Sequence, residues 1–195
     1  MQGQTFVFFG IAGSGKGTQM ELLEKYVQEK EGKGFVYAGT GDGFRNLISA
    51  GNHVSELVKN CLDKGELMPD FFATSIITDI FVSKLMPDQN LITDGYPRTV
   101  KQSEDFEKML KFFGRSKVEI IYIELSREEA LKRNLLRNRH DDTEESIQKR
   151  FDWYFDMVLP AMNYFEGKPG FTIHKINGEQ TKEEVYRDII NALKI

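Results

Sequence analysis

The sequence predicts an α/β protein whose parallel five-stranded sheet is flanked by helices. Short runs rich in β-branched and aromatic residues alternate along the chain with longer segments of helical periodicity. The short runs are almost continuously apolar, which is typical of parallel strands buried on both faces. With 195 residues, the chain is long enough for a single domain with one sizeable core.

The predicted elements alternate along the chain. Strands are predicted over residues 6–9, 35–37, 91–93, 118–125 and 171–176. Helices are predicted over residues 16–30, 42–50, 53–64, 70–85, 99–113, 127–136, 143–166 and 181–194. Thr181 and Glu184 have the spacing of a capping box, which predicts the start of the last helix. Several apolar side chains of the helix over 143–166 are predicted to pack on the core. They are Phe151, Trp153, Tyr154, Phe155 and Val158.

Composition and charge exclude several classes of protein. The net charge of −4 argues against a general nucleic-acid binder, which usually carries a basic surface. Cys61 is the only cysteine, so an internal disulfide and a cysteine-based zinc site are excluded. The sequence has no apolar run of about 18 residues that could span a membrane and no signal-peptide layout. We therefore expect a cytoplasmic protein with no zinc and with neither a membrane nor a nucleic acid as partner.

A glycine-rich turn directly follows the first predicted strand and precedes a helical pattern. It reads Gly10-Ile11-Ala12-Gly13-Ser14-Gly15-Lys16-Gly17-Thr18. Glycines let the chain curl so that successive backbone N–H groups point at one anion, and the helix that follows adds its positive end. Lys16 can reach the outer phosphates of a nucleotide. A plain flexible loop has no need of a lysine between glycines, so the turn predicts a nucleotide phosphate site.

The last residues of this turn indicate which class of phosphate-loop protein the chain resembles. The general phosphate-loop pattern has Ser or Thr directly after the lysine, whereas here Gly17 follows Lys16 and the hydroxyl comes at Thr18. This G-K-G-T ending resembles the nucleoside monophosphate kinases, and above all the adenylate kinase family. Most of that family has proline where this chain has Ala12. The alanine makes the unfolded loop less restricted but removes no ligand.

A second motif, Asp94-Gly95-Tyr96-Pro97-Arg98, closes a predicted strand. It resembles the D-G-[FY]-P-R motif of the same family. By that resemblance Asp94 organises Mg²⁺ through water, and one carboxylate suffices because Mg²⁺ keeps several waters. A turn aspartate before glycine is the plainer alternative, but Arg98 at the right spacing favours the functional interpretation.

A third motif begins at Thr40 and Gly41 and ends at Arg45, and it resembles T-G-D-x-[LM]-R of the family. The resemblance implies that Arg45 and Arg98 grip the phosphate of the acceptor monophosphate. A guanidinium can donate two parallel hydrogen bonds to phosphate oxygens. The alternative is that both arginines are solvated surface residues. That alternative is disfavoured because both motifs occur in the order that the family has.

Further residues are implied in the pocket for the acceptor base. Leu67 and Met68 lie in a passage that resembles the family's G-x-L-[VM]-[PT]-D, although both could equally be plain core residues. Thr40 and Gln102 match positions that line the adenine pocket of adenylate kinases. Uridylate–cytidylate kinases usually have alanine at the first of these positions, and the Gln102 amide can both donate and accept, as an adenine edge requires. AMP is therefore favoured as the acceptor.

The last motif is rich in arginine. Helical spacing puts Arg133 and Arg137 on one face, which could also be a solvated face. Arg139, the Asp pair at 141–142 and Arg150 resemble the lid region of the family. That resemblance implies that Arg133 stacks on the donor adenine and that the other three arginines surround the transferring phosphoryl group. The aspartates would hold the arginines in place.

This lid region departs from the family by its length. Only Asn138 separates Arg137 from Arg139, where family members have at least a short loop and some have a whole lid domain. A lid of residues 137–142 is therefore predicted to be minimal. Closure of a lid normally excludes water from the phosphates, so a shortened lid predicts slow hydrolysis of ATP without an acceptor.

The resemblance extends from Thr5 to about Tyr164 and implies a phosphotransferase that catalyses MgATP + AMP ⇌ 2 ADP. It implies one kinase domain over residues 1–195 with an acceptor-binding flap over 40–69, and a monomer. The residues implied in ATP binding are Gly10, Ala12, Gly13, Ser14, Gly15, Lys16, Gly17, Thr18, Arg133 and Arg137. Those implied in AMP binding are Thr40, Gly41, Arg45, Leu67, Met68, Gly95, Arg98, Gln102, Arg139 and Arg150. Those implied in catalysis are Lys16, Asp94, Arg98, Arg137, Arg139 and Arg150.

Three alternatives stay open at this point. A kinase for UMP, CMP or GMP would share most of these residues and differ around the base. A nucleotide switch of the GTPase type needs an N-K-x-D motif, which the sequence lacks. A binding-only or catalytically weak nucleotide-binding protein would have no need of so many arginines together.

Overall fold

The computed structural model describes residues 2–137 and 143–195, and for Arg137 only the backbone. In this part of the chain five parallel strands form one sheet in the order β2-β3-β1-β4-β5. The strands are β1 (Thr5–Phe9), β2 (Phe35–Gly39), β3 (Asn90–Asp94), β4 (Val118–Glu124) and β5 (Phe171–Asn177). The predicted fold class is thereby confirmed.

Helices connect these strands. Those before β4 are α1 (Lys16–Glu31), α2 (Thr40–Ser49), α3 (His53–Asp63), α4 (Asp70–Lys84) and α5 (Val100–Phe112). Those after β4 are α6 (Arg127–Arg137), α7 (Glu144–Trp153), α8 (Leu159–Asn163) and α9 (Lys182–Leu193). The predicted capping box of α9 is present, because the side chains of Thr181 and Glu184 each accept from the other's backbone N–H. No helix in the described ranges has both the length and the apolar character to cross a bilayer.

Two predicted helices differ from the structure. The helix predicted over 42–50 begins at Thr40, because β2 passes into it directly through the extended residue Gly39 without an intervening loop. The helix predicted over 143–166 contains a π-helical turn at Tyr154–Val158 between α7 and α8. Pro160 has no N–H to donate to the preceding turn. Just before it, the N–H of Leu159 bonds to the carbonyl of Tyr154, five residues back.

Alternating side chains of the strands feed two separate cores. Phe6 and Phe8 of β1 pack with residues of α1 and α9 on one face of the sheet. Val7 and Phe9 point to the opposite face, where they pack with residues of α4, α5 and α8. With both faces covered, the open place is the edge where the carboxyl ends of the strands meet, which is where ligands of such sheets bind.

Candidate active site

The glycine-rich turn lies at the carboxyl end of β1, in the middle of the sheet. β1 ends at Phe9 and α1 begins at Lys16. Gly15 precedes the helix in the left-handed conformation, with a φ of 88°. The first N–H groups of a helix have no helical partner, and they lie at the positive end of its dipole. The start of α1 therefore favours an anion.

A close contact with α6 holds one side of this loop. Gly13 has a φ of 89°, and a Cβ atom on it would lie 2.6 Å from Nδ2 of Asn134 and 3.0 Å from the carbonyl oxygen of Ala130. Nδ2 of Asn134 also donates a hydrogen bond to the carbonyl of Ala12 at 2.8 Å. The position of Gly13 thus requires glycine, both for its backbone conformation and for space.

Two polar side chains of the loop differ in their relation to a bound triphosphate. Nζ of Lys16 donates to the carbonyl oxygens of Gly10 at 2.6 Å and Ile11 at 3.3 Å, which holds the ammonium against the loop. Oγ of Ser14 is buried and has no hydrogen-bond partner among the residues the structure describes. Ser14 does not line the cavity described below, so its hydroxyl is not assigned to a phosphate.

The carboxyl end of β3 brings Asp94 and Arg98 together beside this loop. Nε of Arg98 donates to the carbonyl of Gly95 at 2.8 Å. Burial lowers the pKa of Arg98 and the nearby Asp94 carboxylate opposes that shift, and an arginine so placed stays charged. Oη of Tyr37, on β2, donates to Oδ2 of Asp94 at 3.3 Å. Burial, followed by the charge of Asp94, raises the pKa of Tyr37, so the phenol stays a donor at neutral pH.

Hydrogen bonds connect the predicted acceptor residues to one another. Oγ1 of Thr40, at the start of α2, donates to the carbonyl of Gly95 at 3.2 Å. Oε1 of the buried Gln102 accepts from the backbone N–H of Arg98 at 2.7 Å, and its Nε2 donates to Oδ1 of Asp70 at 2.8 Å. These two bonds use one donor and one acceptor position of an amide that offers two of each. Gln102 thus fixes the Arg98 backbone, and its role towards an acceptor base stays a prediction.

The phosphate loop, the end of β3, α6 and α7 surround an open cavity of about 680 Å³. Predicted site residues line it from each of these elements, and Leu67 lines it from the segment between α3 and α4. They are Gly10, Ala12, Gly13, Gly15, Lys16, Gly17, Thr18, Leu67, Asp94, Gly95, Arg98, Arg133 and Arg150. Arg133 is held by Glu129, one turn earlier on α6, at 2.8 Å. Cations from several elements therefore converge with a carboxylate on one space, an arrangement suited to phosphoryl groups.

The other predicted site residues do not line this cavity or lie outside the described ranges. Those that lie elsewhere are Ser14, Thr40, Gly41, Arg45, Met68 and Gln102. Arg45 is exposed on α2, where it forms an ion pair with Asp42. The side chain of Arg137, the whole of Arg139 and the Asp pair at 141–142 belong to the part of the chain that the structure does not describe. Their roles stay predictions.

Some residues at the site were not predicted there. Trp153, Tyr154 and Val158 line the cavity, and Tyr154 and Val158 also pack in the buried cluster with Phe151, as the sequence pattern predicted. Phe151 is fully buried as predicted, whereas Phe155 is 42% exposed, so its prediction is wrong. The π-helical turn rotates this stretch relative to a regular helix, and π-turns frequently occur at functional sites. Pro160 was the one signal for it in the sequence.

Comparison with known proteins agrees with this geometry. A sequence model described as "Adenylate kinase" matches residues 8–169. The chain is 34% identical over 192 residues to an adenylate kinase of Bacteroides fragilis, covering 96% of each protein. It is 32% identical to adenylate kinase isoenzyme 1 of Gallus gallus, covering 94% of this chain and 91% of the relative. It is 30% identical to an adenylate kinase of Thermus thermophilus, covering 99% and 98%. The chain therefore belongs to the adenylate kinase family.

Proposed function

We propose that this chain transfers the terminal phosphoryl group of MgATP reversibly to AMP, giving two molecules of ADP. The observation that carries this proposal is the shared cavity, which joins the phosphate loop and Lys16 to the Asp94–Arg98 segment. A donor phosphate on the loop and an acceptor phosphate at Arg98 would meet within it. The names of the relatives, which match nearly the whole chain, support AMP as the acceptor.

Charge and alignment perform this reaction, and no general base is needed. The nucleophile is an oxygen of the acceptor phosphate, which is already ionised at pH 7. Lys16 neutralises the outer phosphates of the donor, and Arg98 donates two parallel bonds to the acceptor phosphate. The transition state spreads charge over three oxygens, and Arg150, with Arg137 and Arg139, stabilises that charge.

The site also fits a magnesium ion that arrives with ATP. Asp94 lines the cavity beside the phosphate loop, and its carboxylate would hold the ion through water, as suits a cation that keeps several of its waters. The bound ion supplies neutralisation of the charge on the phosphates. Tyr37, which donates to Asp94, keeps one carboxylate oxygen in a fixed orientation.

The remaining predicted roles complete the proposal. Arg133 stacks on the donor adenine, and the acceptor base binds in a flap over residues 40–69. Thr40, Gly41, Leu67, Met68 and Gln102 line this base pocket, and Arg45 exchanges its bond to Asp42 for the acceptor phosphate. Residues 137–142 form a minimal lid. By family resemblance the protein is a monomer, and its single cysteine suits the reducing cytoplasm.

The acceptor is tested by measuring ADP formation from MgATP mixed separately with AMP, CMP, UMP, GMP and dTMP. We expect AMP to react at least about 10-fold faster than the others, since a pocket built to hydrogen-bond one base leaves polar groups unpaired with another. A preference for a pyrimidine or guanine nucleotide would support a nucleoside monophosphate kinase but contradict the proposed roles of Thr40 and Gln102 in binding adenine. Tight ATP binding without transfer to any acceptor would overturn the enzyme itself.

The short lid predicts slow hydrolysis of ATP in the absence of AMP. Water that reaches the phosphates competes with the acceptor as nucleophile, and lid closure is what normally excludes it. We expect phosphate release well below the transfer rate, yet above the rate of a K16M variant prepared in the same way. Phosphate release equal to that of the K16M variant, beside robust transfer to AMP, would contradict this prediction.

A further inference from the structure

Asn134 is a polar residue in an unexpected place. It lies on α6 next to Arg133 and is fully buried. Ala130, one turn earlier, belongs to a buried apolar cluster with Ile11 and Phe151. A buried asparagine is favourable only when its amide groups find partners.

The amide of Asn134 is only half satisfied. Nδ2 donates to the carbonyl of Ala12 at 2.8 Å and to that of Ala130 at 2.7 Å. Oδ1 is buried and has no partner among the described residues. An aliphatic side chain would avoid that unsatisfied oxygen. The bond to Ala130 stays within α6 and connects no other element. The bond to Ala12 in the phosphate loop is therefore what the asparagine provides and an aliphatic residue could not.

That bond fixes one peptide of the loop. The peptide between Ala12 and Gly13 is trans, because among the described residues only the Tyr96–Pro97 peptide is cis. In a trans peptide the C=O and the N–H point in opposite directions. Because Asn134 holds the Ala12 carbonyl towards α6, the N–H of Gly13 is directed away from α6.

The loop has a particular need for such a bond. It contains glycine at positions 10, 13 and 15 before α1 begins, and each of these glycines adds backbone freedom that must be lost when an anion is bound. Ala12 does not restrict its own φ as a proline would. A hydrogen bond from a rigid helix compensates for this freedom before the nucleotide arrives.

We propose that Asn134 is a positioning residue, which orients the Ala12–Gly13 peptide so that the Gly13 N–H faces the donor phosphates. It connects the loop to the helix that bears Arg133, so both ends of a bound ATP are placed by α6. The proposal deepens the proposed function and rests on it for the identity of the donor. The orientation of the peptide itself does not depend on which acceptor is used.

The test compares N134L and N134A with L135A as matched control. Leu135 is the next residue of α6 and is 48% exposed. Binding of ATP and of adenosine is measured without any acceptor, by the fluorescence of Trp153, the single tryptophan, which lines the cavity, and by calorimetry. We expect N134L and N134A to weaken ATP binding roughly 3- to 10-fold, as for one lost hydrogen bond, and L135A to have no effect. Adenosine, which has no phosphates, should bind the variants and the wild type equally.

A rescue experiment separates this role from a merely structural one. Lys194 is the one described non-glycine residue with positive φ, so the φ of Ala12 is not positive, and a proline there would restrict it to about −65°. We expect A12P to have little effect alone and to restore most of the ATP affinity in the A12P/N134L double variant. In steady-state kinetics the KM for ATP should rise in N134L while the KM for AMP stays constant.

Three results would overturn the proposal. They are unchanged ATP affinity in both Asn134 variants, an equal loss for adenosine and ATP, and the absence of rescue by A12P. If N134A fails to fold, N134L still decides the matter, since it fills the site and removes the unsatisfied oxygen. Failure of phosphoryl transfer in the wild type would contradict the proposed function. The ATP titrations would still test the role of Asn134, because they are made without an acceptor.

Discussion

Replacement of Arg98 by alanine is expected to reduce phosphoryl transfer roughly 10²- to 10³-fold, the loss typical of one preorganised donor to a developing charge. The affinity for ATP should stay within about twofold of wild type. The reason is geometric: Arg98 follows β3, and its guanidinium is held at the Gly95 carbonyl, whereas the donor phosphates are expected on the loop after β1. The measurement is kcat and KM for both nucleotides together with the Kd for ATP.

The matched control is R187A, because Arg187 lies on the exposed side of α9 and does not line the cavity. R187A should have the activity of the wild type. R98K adds a second comparison: a lysine keeps the charge but cannot donate two parallel bonds to a phosphate, so it should restore only part of the activity. If R98A lowered ATP affinity as much as it lowered transfer, Arg98 would not belong to the acceptor side.

The fold could be predicted from the sequence because local pattern and global architecture agree. The five strands were identifiable from short apolar runs, and even β2, with three predicted residues, occurs where expected and extends to Gly39. Element ends were less predictable. The start of α2 was misplaced because Gly41 and Gly43 are poor helix formers, while in the protein β2 leads directly into the helix at Thr40.

The site residues that belong to short sequence motifs could be predicted. Those that reach the site through tertiary packing could not. The residues of the phosphate loop and of the Asp94–Arg98 segment are contiguous in sequence, so their types and spacing could be recognised. Asn134 and Tyr37 act through contacts with residues distant in the chain, and no local pattern marks such partners. Trp153 has the spacing of a core residue, yet it lies at the end of α7 and lines the cavity.

Replacement of Lys16 by methionine should impair both binding and transfer, in contrast to R98A. Methionine preserves the length and apolar stem of the side chain but removes the ammonium that is held at the Gly10 and Ile11 carbonyls. A hydrogen bond to a charged group contributes about 1.5–3 kcal/mol, so ATP affinity should fall roughly 10- to 100-fold. Transfer should fall further, since charge on the outer phosphates grows in the transition state.

K25M is the control, because Lys25 is exposed on the same helix and the substitution is chemically identical. K25M should match the wild type in ATP affinity, transfer and thermal stability, whereas K16M should lose ATP affinity and transfer. Together, R98A and K16M distinguish the acceptor side of the cavity from the donor side. Loss of transfer without loss of ATP binding marks the acceptor side, and loss of both marks the donor side. If K16M bound ATP like the wild type, the phosphates would not lie on the glycine-rich loop, and the assignment of the whole cavity would have to be reversed.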